Sequence, residues 1–134
     1  MNEIAKVQSH SITHATSFAM AGGVAALNGP QESIDEMVRA WDRRRTLVTD
    51  GLNRINGISW TAAEGAFYAF PDIRGTGMSS MEFSDKALTE AEVAVVPGNA
   101  FGDAGEGFVR MSFATSDEIL QKMIDRLSNW LGTS

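Results

Sequence analysis

The sequence predicts a two-layer α+β fold, in which a small, mainly antiparallel sheet carries helices on one face and follows a long helix. A length of 134 residues with 43% hydrophobic residues fits one ordinary domain with a real core. Apolar three-four spacing marks helices, and short aromatic and β-branched runs mark strands. The resulting order is helix, long helix, two strands, helix, two strands, helix, which suggests helices packed against one small sheet.

The first half of the chain is expected to be helical. Residues 1–15 give no confident element, and residues 16–27 predict a helix made largely of small side chains, including Gly22 and Gly23. Asn28-Gly29-Pro30 interrupts the pattern. A long helix is predicted over residues 30–56, with Pro30 in its first turn and Gly57 as its stop. At 1.5 Å per residue this helix would be roughly 40 Å long, more than a domain of this size needs.

The second half contains the predicted sheet and two further helices. Each helix has a capping-box sequence at its start, Ser79–Glu82 and Thr115–Glu118 respectively. The predicted elements are strands at 58–61 and 66–70, a helix from 79 to about 91, a strand at 93–96, a glycine-rich loop at 98–107, a strand at 107–113, and a helix ending at Gly132.

Composition and charge exclude several classes of function. The net charge of −6 argues against a nucleic-acid or anionic-membrane surface, and the only basic run, Arg43–Arg45, is too short to form one. The absence of cysteine excludes disulfides and thiolate chemistry. No apolar run reaches the ~18 residues of a membrane span, and no signal-peptide pattern is present. We therefore expect a cytoplasmic protein with no nucleic-acid or membrane partner.

An arginine in the middle of a strand is the most informative single residue. In the stretch Gly107–Phe113, strand alternation puts Val109, Met111 and Phe113 on one face, while Arg110 lies on the other. The pattern alone favours a solvated arginine on the open face of the sheet. The alternative is a carboxylate clamp, because the planar guanidinium matches a carboxylate with two parallel hydrogen bonds.

Other candidate sites are weaker. His10 and His14 are four residues apart and would share a helix face, but no third ligand stands at convincing spacing, so no metal site is expected. The loop 98–107 lacks a following Lys-Ser/Thr and carries two acids, which predicts a turn-rich connection rather than a phosphate cradle. Arg45 falls on the apolar stripe of the long helix, so we expect it to be partly covered or paired.

Several ordered motifs carry a family resemblance. "EGAFYAFPDI" (Glu64–Ile73), "VAVVPGNAFG" (Val93–Gly102) and "GFVRMSFATSDEIL" (Gly107–Leu120) occur in that order, together with "ALNGPQE" and "DRRRTLVTDGLN". They resemble the C-terminal part of class I/II aminotransferases, members of the fold-type I pyridoxal-phosphate superfamily. The closest likeness is to bacterial aspartate aminotransferases. The similarity extends from about Val7 to Leu131.

The resemblance implies a domain division and a set of site residues. Residues 1–28 would belong to the large domain of a full enzyme, and residues 29–134 to its small domain, with helix 30–56 as the link. Arg110 matches the arginine that binds the substrate α-carboxylate in this family. The residues expected to shape the small-domain side of the cleft are Gly65, Phe67, Pro97, Gly98 and Phe101.

The resemblance also implies what the chain does not carry. The family holds its cofactor, pyridoxal 5'-phosphate, on a lysine in a Ser-x-Ser/Thr-Lys motif upstream of the matched region. Lys6, Lys86 and Lys122 do not match it, although "FSDKALTEA" around Lys86 is a superficial echo. We therefore expect no catalytic residue, no stably bound cofactor and no activity in the isolated chain.

Two functional hypotheses follow. In the first, the chain is part of a homodimeric aminotransferase that acts on amino acids and 2-oxo acids, with the rest of the enzyme as its partner. In the second, it is a stand-alone, non-catalytic interaction or regulatory module derived from the small domain.

Overall fold

The computed structural model describes residues 2–12 and 14–133 and confirms the predicted α+β class. Within those residues, an open sheet of three antiparallel strands has the order β1-β3-β2. The elements are α1 (Asn2–Ser11), α2 (Ser17–Asn28), α3 (Glu32–Leu52), β1 (Tyr68–Ala69), α4 (Ser80–Glu90), β2 (Val96–Pro97), β3 (Val109–Ser112) and α5 (Asp117–Leu131). None of the described helices is long and apolar enough to cross a membrane.

The chain divides into two compact units, residues 1–36 and 37–134. In the first unit, helix α2 follows the prediction within one residue at each end, whereas α1 was not predicted. Neither helix contains a buried residue. A polar helix without a buried stripe gives little periodic signal, and an exposed Lys6–Glu3 ion pair lies along α1.

The long helix is shorter than the predicted span 30–56 at both ends. It starts at Glu32, and the Gln31 carbonyl accepts hydrogen bonds from the amides of Ile34 and Asp35. It ends at Leu52, where the amides of Arg54 and Ile55 bond carbonyls three residues back. The Asn53 side chain donates to the Trp60 carbonyl at 2.9 Å and accepts from the Trp60 amide at 2.8 Å. The helix thus stops four residues before the predicted end, and Asn53 joins that end to Trp60.

The core of the second unit lies between the sheet and three helices. Val109, Met111 and Phe113 of the β3 segment are buried together with Phe83 of α4 and Leu120 of α5. Val48 and Leu52 from the last turns of α3 complete the layer. The predicted cap at Ser79 is confirmed, since Ser79 accepts from the Glu82 amide. The last helix is capped one residue after Thr115, by Ser116, which accepts from the Ile119 amide.

All four predicted strands are shorter in the structure: the runs at 66–70 and 107–113 keep Tyr68–Ala69 and Val109–Ser112. The run at 58–61 contributes a single bridge, Ser59 to Asp72. The run at 93–96 pairs only at its end, in β2, because the amide of Val93 bonds the Ala87 carbonyl of α4 instead. Val93 is buried in the core, so an apolar residue is needed at this position although it does not pair in the sheet.

Candidate functional site on the open face of the sheet

Strand β3 places Arg110 on the face of the sheet opposite the core. The predicted alternation is confirmed, because Val109 and Met111 are buried while Arg110 is half-buried and Ser112 exposed. As β3 is the central strand, Arg110 has neighbours on both sides: Val96 of β2 is its direct partner, and Tyr68 of β1 pairs with Ser112. The arginine is therefore held at the middle of the open face.

Two aromatic rings adjoin the guanidinium of Arg110. Its central carbon lies over the Tyr68 ring and over the Phe101 ring, 4.5 Å from each centroid. Both distances are within the range of cation–π attraction. We call these two residues the aromatic pair. Tyr68 belongs to β1, whereas Phe101 ends a short 3-10 turn, Gly98–Phe101, after β2.

No carboxylate neutralises Arg110 among the residues that the structure describes. Other arginines of the second unit form ion pairs: Arg44 with Asp117, Arg45 with Asp42, Arg74 with Asp72 and Arg126 with Glu92. Arg44, Arg45, Arg74 and Arg126 also donate side-chain hydrogen bonds, whereas the Arg110 side chain donates none within the described chain. Its N–H donors are consequently open to a ligand from solution.

The loop that carries Phe101 is closed by backbone contact. A Cβ added at Gly98 would lie 2.2 Å from the Gly105 carbonyl oxygen, so the two glycines approach as closely as backbones can. Glu106 joins this loop to its surroundings, accepting from the Asn99 side chain at 3.0 Å and from the Ser80 amide at 2.9 Å. The predicted turn-rich connection at 98–107 is confirmed by its two 3-10 turns.

The aromatic surface continues away from Arg110 toward a second arginine. Phe70 contacts Phe101 edge-on at 6.1 Å and stacks on Phe108 at 5.6 Å, and the guanidinium of Arg74 lies 5.4 Å from the Phe108 centroid. Arg74 is bonded to Asp72 through two nitrogens. The side-chain hydrogen bond from Arg74 lowers the pKa of the Asp72 carboxyl below its ordinary value. Arg74 is thus already neutralised, unlike Arg110.

The other residues predicted for the cleft lie in different surroundings. Gly65 lines an open cavity of about 350 Å³ with Trp41, Arg45 and Phe113. Phe67 lies between this cavity and the aromatic pair, 5.8 Å from the Trp41 ring and 4.5 Å from the Tyr68 ring. Pro97 ends β2, where it pairs with Val109, and Gly98 follows it. Of the residues predicted for the cleft, Phe101 is the one whose ring lies against the guanidinium of Arg110.

Arg45 is paired and partly covered, as its place on the helix predicted. Its guanidinium donates to the Asp42 carboxylate at 2.7 Å and to the Ala63 carbonyl at 3.4 Å. The arginine therefore ties α3 to the segment before β1.

Sequence reasoning missed Tyr68. The residue stands in the quoted motif "EGAFYAFPDI", but its neighbour Phe67 was selected instead. Only the register of β1 against β3, with Tyr68 opposite Ser112, brings the tyrosine diagonally beside Arg110. Strand register between segments more than forty residues apart cannot be obtained from the alternation of either segment alone.

The sequence analysis also singled out two histidines and the lysines. His10 is in the last turn of α1 and His14 beyond its end, so the predicted common helix face is wrong. The described residues contain no group of three His, Cys, Asp or Glu side chains able to hold a metal ion. Lys86 of α4 is paired with Glu82 at 2.8 Å, and the hydrogen bond to Glu82 raises the pKa of the lysine.

Comparison with known proteins gives consistent matches. The model of the family described as aminotransferase class I and II matches residues 1–127. The chain is 40% identical over 133 residues to the aspartate aminotransferase of Pyrococcus horikoshii, and 41% identical over 133 residues to aromatic-amino-acid aminotransferase 2 of Thermococcus litoralis. Each match covers 98% of this chain and 34% of the relative.

A solved structure agrees with these sequence matches. The crystal structure of the aromatic aminotransferase from Pyrococcus horikoshii superposes with a TM-score of 0.88 at 43% identity, covering 94% of this chain and 34% of that chain. The chain therefore spans about a third of the length of the curated relatives it matches.

Proposed function

Because the chain belongs to the class I and II aminotransferase family, we propose that it forms one side of the substrate site in a pyridoxal-phosphate-dependent aminotransferase. The complete enzyme would move an amino group from an amino acid to a 2-oxo acid. Since the chain spans about a third of its relatives, the remainder of that site is proposed to come from residues outside this sequence and from a second copy of the enzyme.

We propose that Arg110 binds the α-carboxylate of the substrate. The observation that supports this role is a half-buried arginine on an open sheet face with no carboxylate partner among the described residues. A guanidinium can bind a carboxylate through two parallel hydrogen bonds, which fixes orientation as well as position. Holding one end of the substrate in this way orients the bond to be broken and lowers the entropic cost of reaction.

The described lysines do not form a cofactor site by themselves. Lys6 and Lys86 are exposed and paired with Glu3 and Glu82, whereas Lys122 lies on α5 beside a cavity of about 220 Å³ that Arg126 also lines. Pyridoxal phosphate, when bound, supplies the electron sink for the reaction. We propose that the full enzyme holds it through residues outside this sequence and that none of these three lysines carries it.

We propose a substrate class defined by the α-carboxylate, the group that all amino acids share. The relatives named above are an aspartate and an aromatic-amino-acid aminotransferase. Both kinds of amino acid carry an α-carboxylate, so an arginine that recognises this group serves either.

Carboxylate binding to the 134-residue protein tests the role of Arg110. The guanidinium Nε–Hε signal is followed by NMR while 2-oxoglutarate is added. We expect a saturable shift of that signal, and a loss of about tenfold or more in affinity in Arg110→Gln, because hydrogen bonds to a charged group are removed. The matched control is Arg54→Gln, an exposed arginine of the same unit, which should bind as the unsubstituted protein does. Equal affinity in Arg110→Gln would contradict the proposal.

Reductive trapping tests the assignment of the lysines. The protein is incubated with pyridoxal phosphate and borohydride, and the modified residues are mapped by mass spectrometry. We expect only slow, dispersed labelling of exposed amines. Rapid labelling of a single lysine, abolished by its substitution with arginine, would contradict the assignment.

The exposed first unit favours a second candidate function, an interaction module. Its described helices expose large apolar side chains: Ile4, Val7, Phe18, Met20, Val24 and Leu27. Exposed apolar surface of this kind marks a contact site. Under the first proposal the remainder of the enzyme covers it, and under the second a separate protein does. Sedimentation of the 134-residue protein, alone and after removal of residues 1–28, measures whether this unit drives association.

A further inference from the structure

The half-buried arginines of the second unit are held in two different ways. Arg44 donates to the Asp117 carboxylate through Nε, and Arg126 forms an ion pair with Glu92, so each has a carboxylate against its charge. Arg110 has no such partner in the described chain, yet its guanidinium lies against two rings at equal distance. Rings attract the cation without accepting hydrogen bonds from the guanidinium edge that a carboxylate would use.

From this contrast we propose that Tyr68 and Phe101 are positioning residues that hold the guanidinium of Arg110 in place while leaving its donors available to a carboxylate. This inference rests on the proposed function, and it adds residues whose role is indirect: they act on the arginine rather than on the substrate. Binding a ligand normally costs the conformational entropy of the side chain that becomes ordered. Because the rings already order Arg110, less of this entropy is lost when a carboxylate binds.

Each ring is fixed by structure of its own. Tyr68 belongs to β1, which pairs with β3 in register, and its ring packs on Phe67 at 4.5 Å. Phe101 is 52% exposed, but the loop that carries it is closed by the contact between Gly98 and Gly105. Rings anchored to the sheet and to a closed loop can orient a neighbouring side chain, whereas freely rotating ones cannot.

Removing either ring should weaken carboxylate binding without abolishing it. Loss of preorganisation of one long side chain corresponds to a decrease in affinity of about fivefold. We therefore expect Tyr68→Leu and Phe101→Leu each to raise the Kd for 2-oxoglutarate by about that factor. Tyr68→Phe and Phe101→Tyr retain a ring and should keep affinity within twofold of the unsubstituted protein, which a role of the Tyr68 hydroxyl would not produce.

The matched control is Phe108→Leu. Phe108 is an aromatic residue of the same sheet face, but its ring adjoins Arg74 rather than Arg110. This variant loses comparable apolar volume, so it reports how much general destabilisation affects binding. We expect its affinity to stay within twofold of the unsubstituted protein, with circular dichroism confirming that every variant is folded.

The NMR signal of the Arg110 guanidinium gives an independent readout before any ligand is added. Rings at 4.5 Å should displace the Nε–Hε resonance by their ring currents and slow rotation of the group. Both effects should diminish in the two leucine variants and persist in Tyr68→Phe and Phe101→Tyr.

The outcomes separate the two levels of inference. If Arg110→Gln loses binding but the leucine variants bind as tightly as the unsubstituted protein, the carboxylate role stands and the positioning role is refuted. If 2-oxoglutarate leaves the Arg110 signal unchanged in the unsubstituted protein, the proposed function fails and the positioning role fails with it. A fivefold loss in the leucine variants that the aromatic replacements restore supports both.

Discussion

Replacing Gly98 by alanine tests how firmly the loop beside Arg110 is closed. The new Cβ would lie 2.2 Å from the carbonyl oxygen of Gly105 and 2.6 Å from that of Phe108. Neither oxygen is the end of a flexible side chain. The Phe108 carbonyl accepts the Gly98 amide at 2.8 Å, and the Gly105 carbonyl accepts from the Ser80 hydroxyl. The backbone must therefore separate for the methyl group to fit.

The expected loss of stability follows from two contributions. Forcing an extra carbon into a closely packed position costs typically 1–3 kcal/mol. Separating Gly98 from Phe108 also weakens their backbone hydrogen bond, which contributes about 1 kcal/mol. We therefore expect the free energy of unfolding to fall by about 3 kcal/mol in total. In a unit of this size that corresponds to a decrease in Tm of about 10 °C or more.

Urea unfolding followed by circular dichroism and tryptophan fluorescence measures this change. Gly65→Ala is the matched control, because a Cβ at Gly65 would have no neighbour within 4 Å, so we expect a change of less than about 0.5 kcal/mol. A loss below about 1 kcal/mol in Gly98→Ala would refute the argument for a closed loop. Because Phe101 follows in the same turn, the ring-current shift of Arg110 should also decrease in this variant.

Three further predictions concern a strained backbone residue, a helix cap and an ion pair. Ala66 has a φ of 62°, so Ala66→Gly should stabilise the protein by about 0.5 kcal/mol in urea unfolding, since relief of left-handed strain exceeds the added chain entropy. Ser79→Ala removes the side-chain cap on the Glu82 amide and should cost about 1 kcal/mol in the same assay. Because the pKa of Asp72 is lowered, its ion pair with Arg74 stabilises the fold fully at pH values above the ordinary pKa of 3.8. This stabilisation is lost as the pH falls through the lowered pKa. The difference in unfolding free energy between the protein and Asp72→Asn should therefore shrink between about pH 5 and pH 2, and a constant difference would contradict this.

The sequence predicted those elements whose determinants are local. The helix start at Ser79 was predicted, and that after Thr115 to within one residue, because a capping side chain and its amide partner are three residues apart. The two faces of β3 were predicted because side chains alternate along any strand, which placed Arg110 opposite Met111. In both cases the residues that decide the structure stand within one short segment.

The sequence could not predict features that depend on distant segments. The side chain of Asn53, just after the end of α3, bonds the backbone of Trp60, a contact that apolar periodicity does not reveal. The ring of Tyr68 next to Arg110 depends on the register of two strands separated by the whole of α4. The apolar run containing Val93 indicated a strand, but burial against the core accounts for it equally well.

The environment of Arg110 is better explained by ligand binding than by stability. The chain has 17 acidic and 11 basic residues, so a carboxylate near any arginine is common by composition. Several arginines of the second unit have one, and a protein selected for stability alone would gain more from a charge-assisted hydrogen bond than from a half-exposed ring contact. At the centre of the open sheet face the described chain offers Arg110 only uncharged neighbours, Val96, Tyr68 and Phe101. An internal carboxylate there would compete with an incoming one, whereas two rings hold the cation and leave its hydrogen-bonding edge open. Among the half-buried arginines of the second unit, Arg110 is therefore the one whose charge the described chain leaves free to bind an anion from outside it.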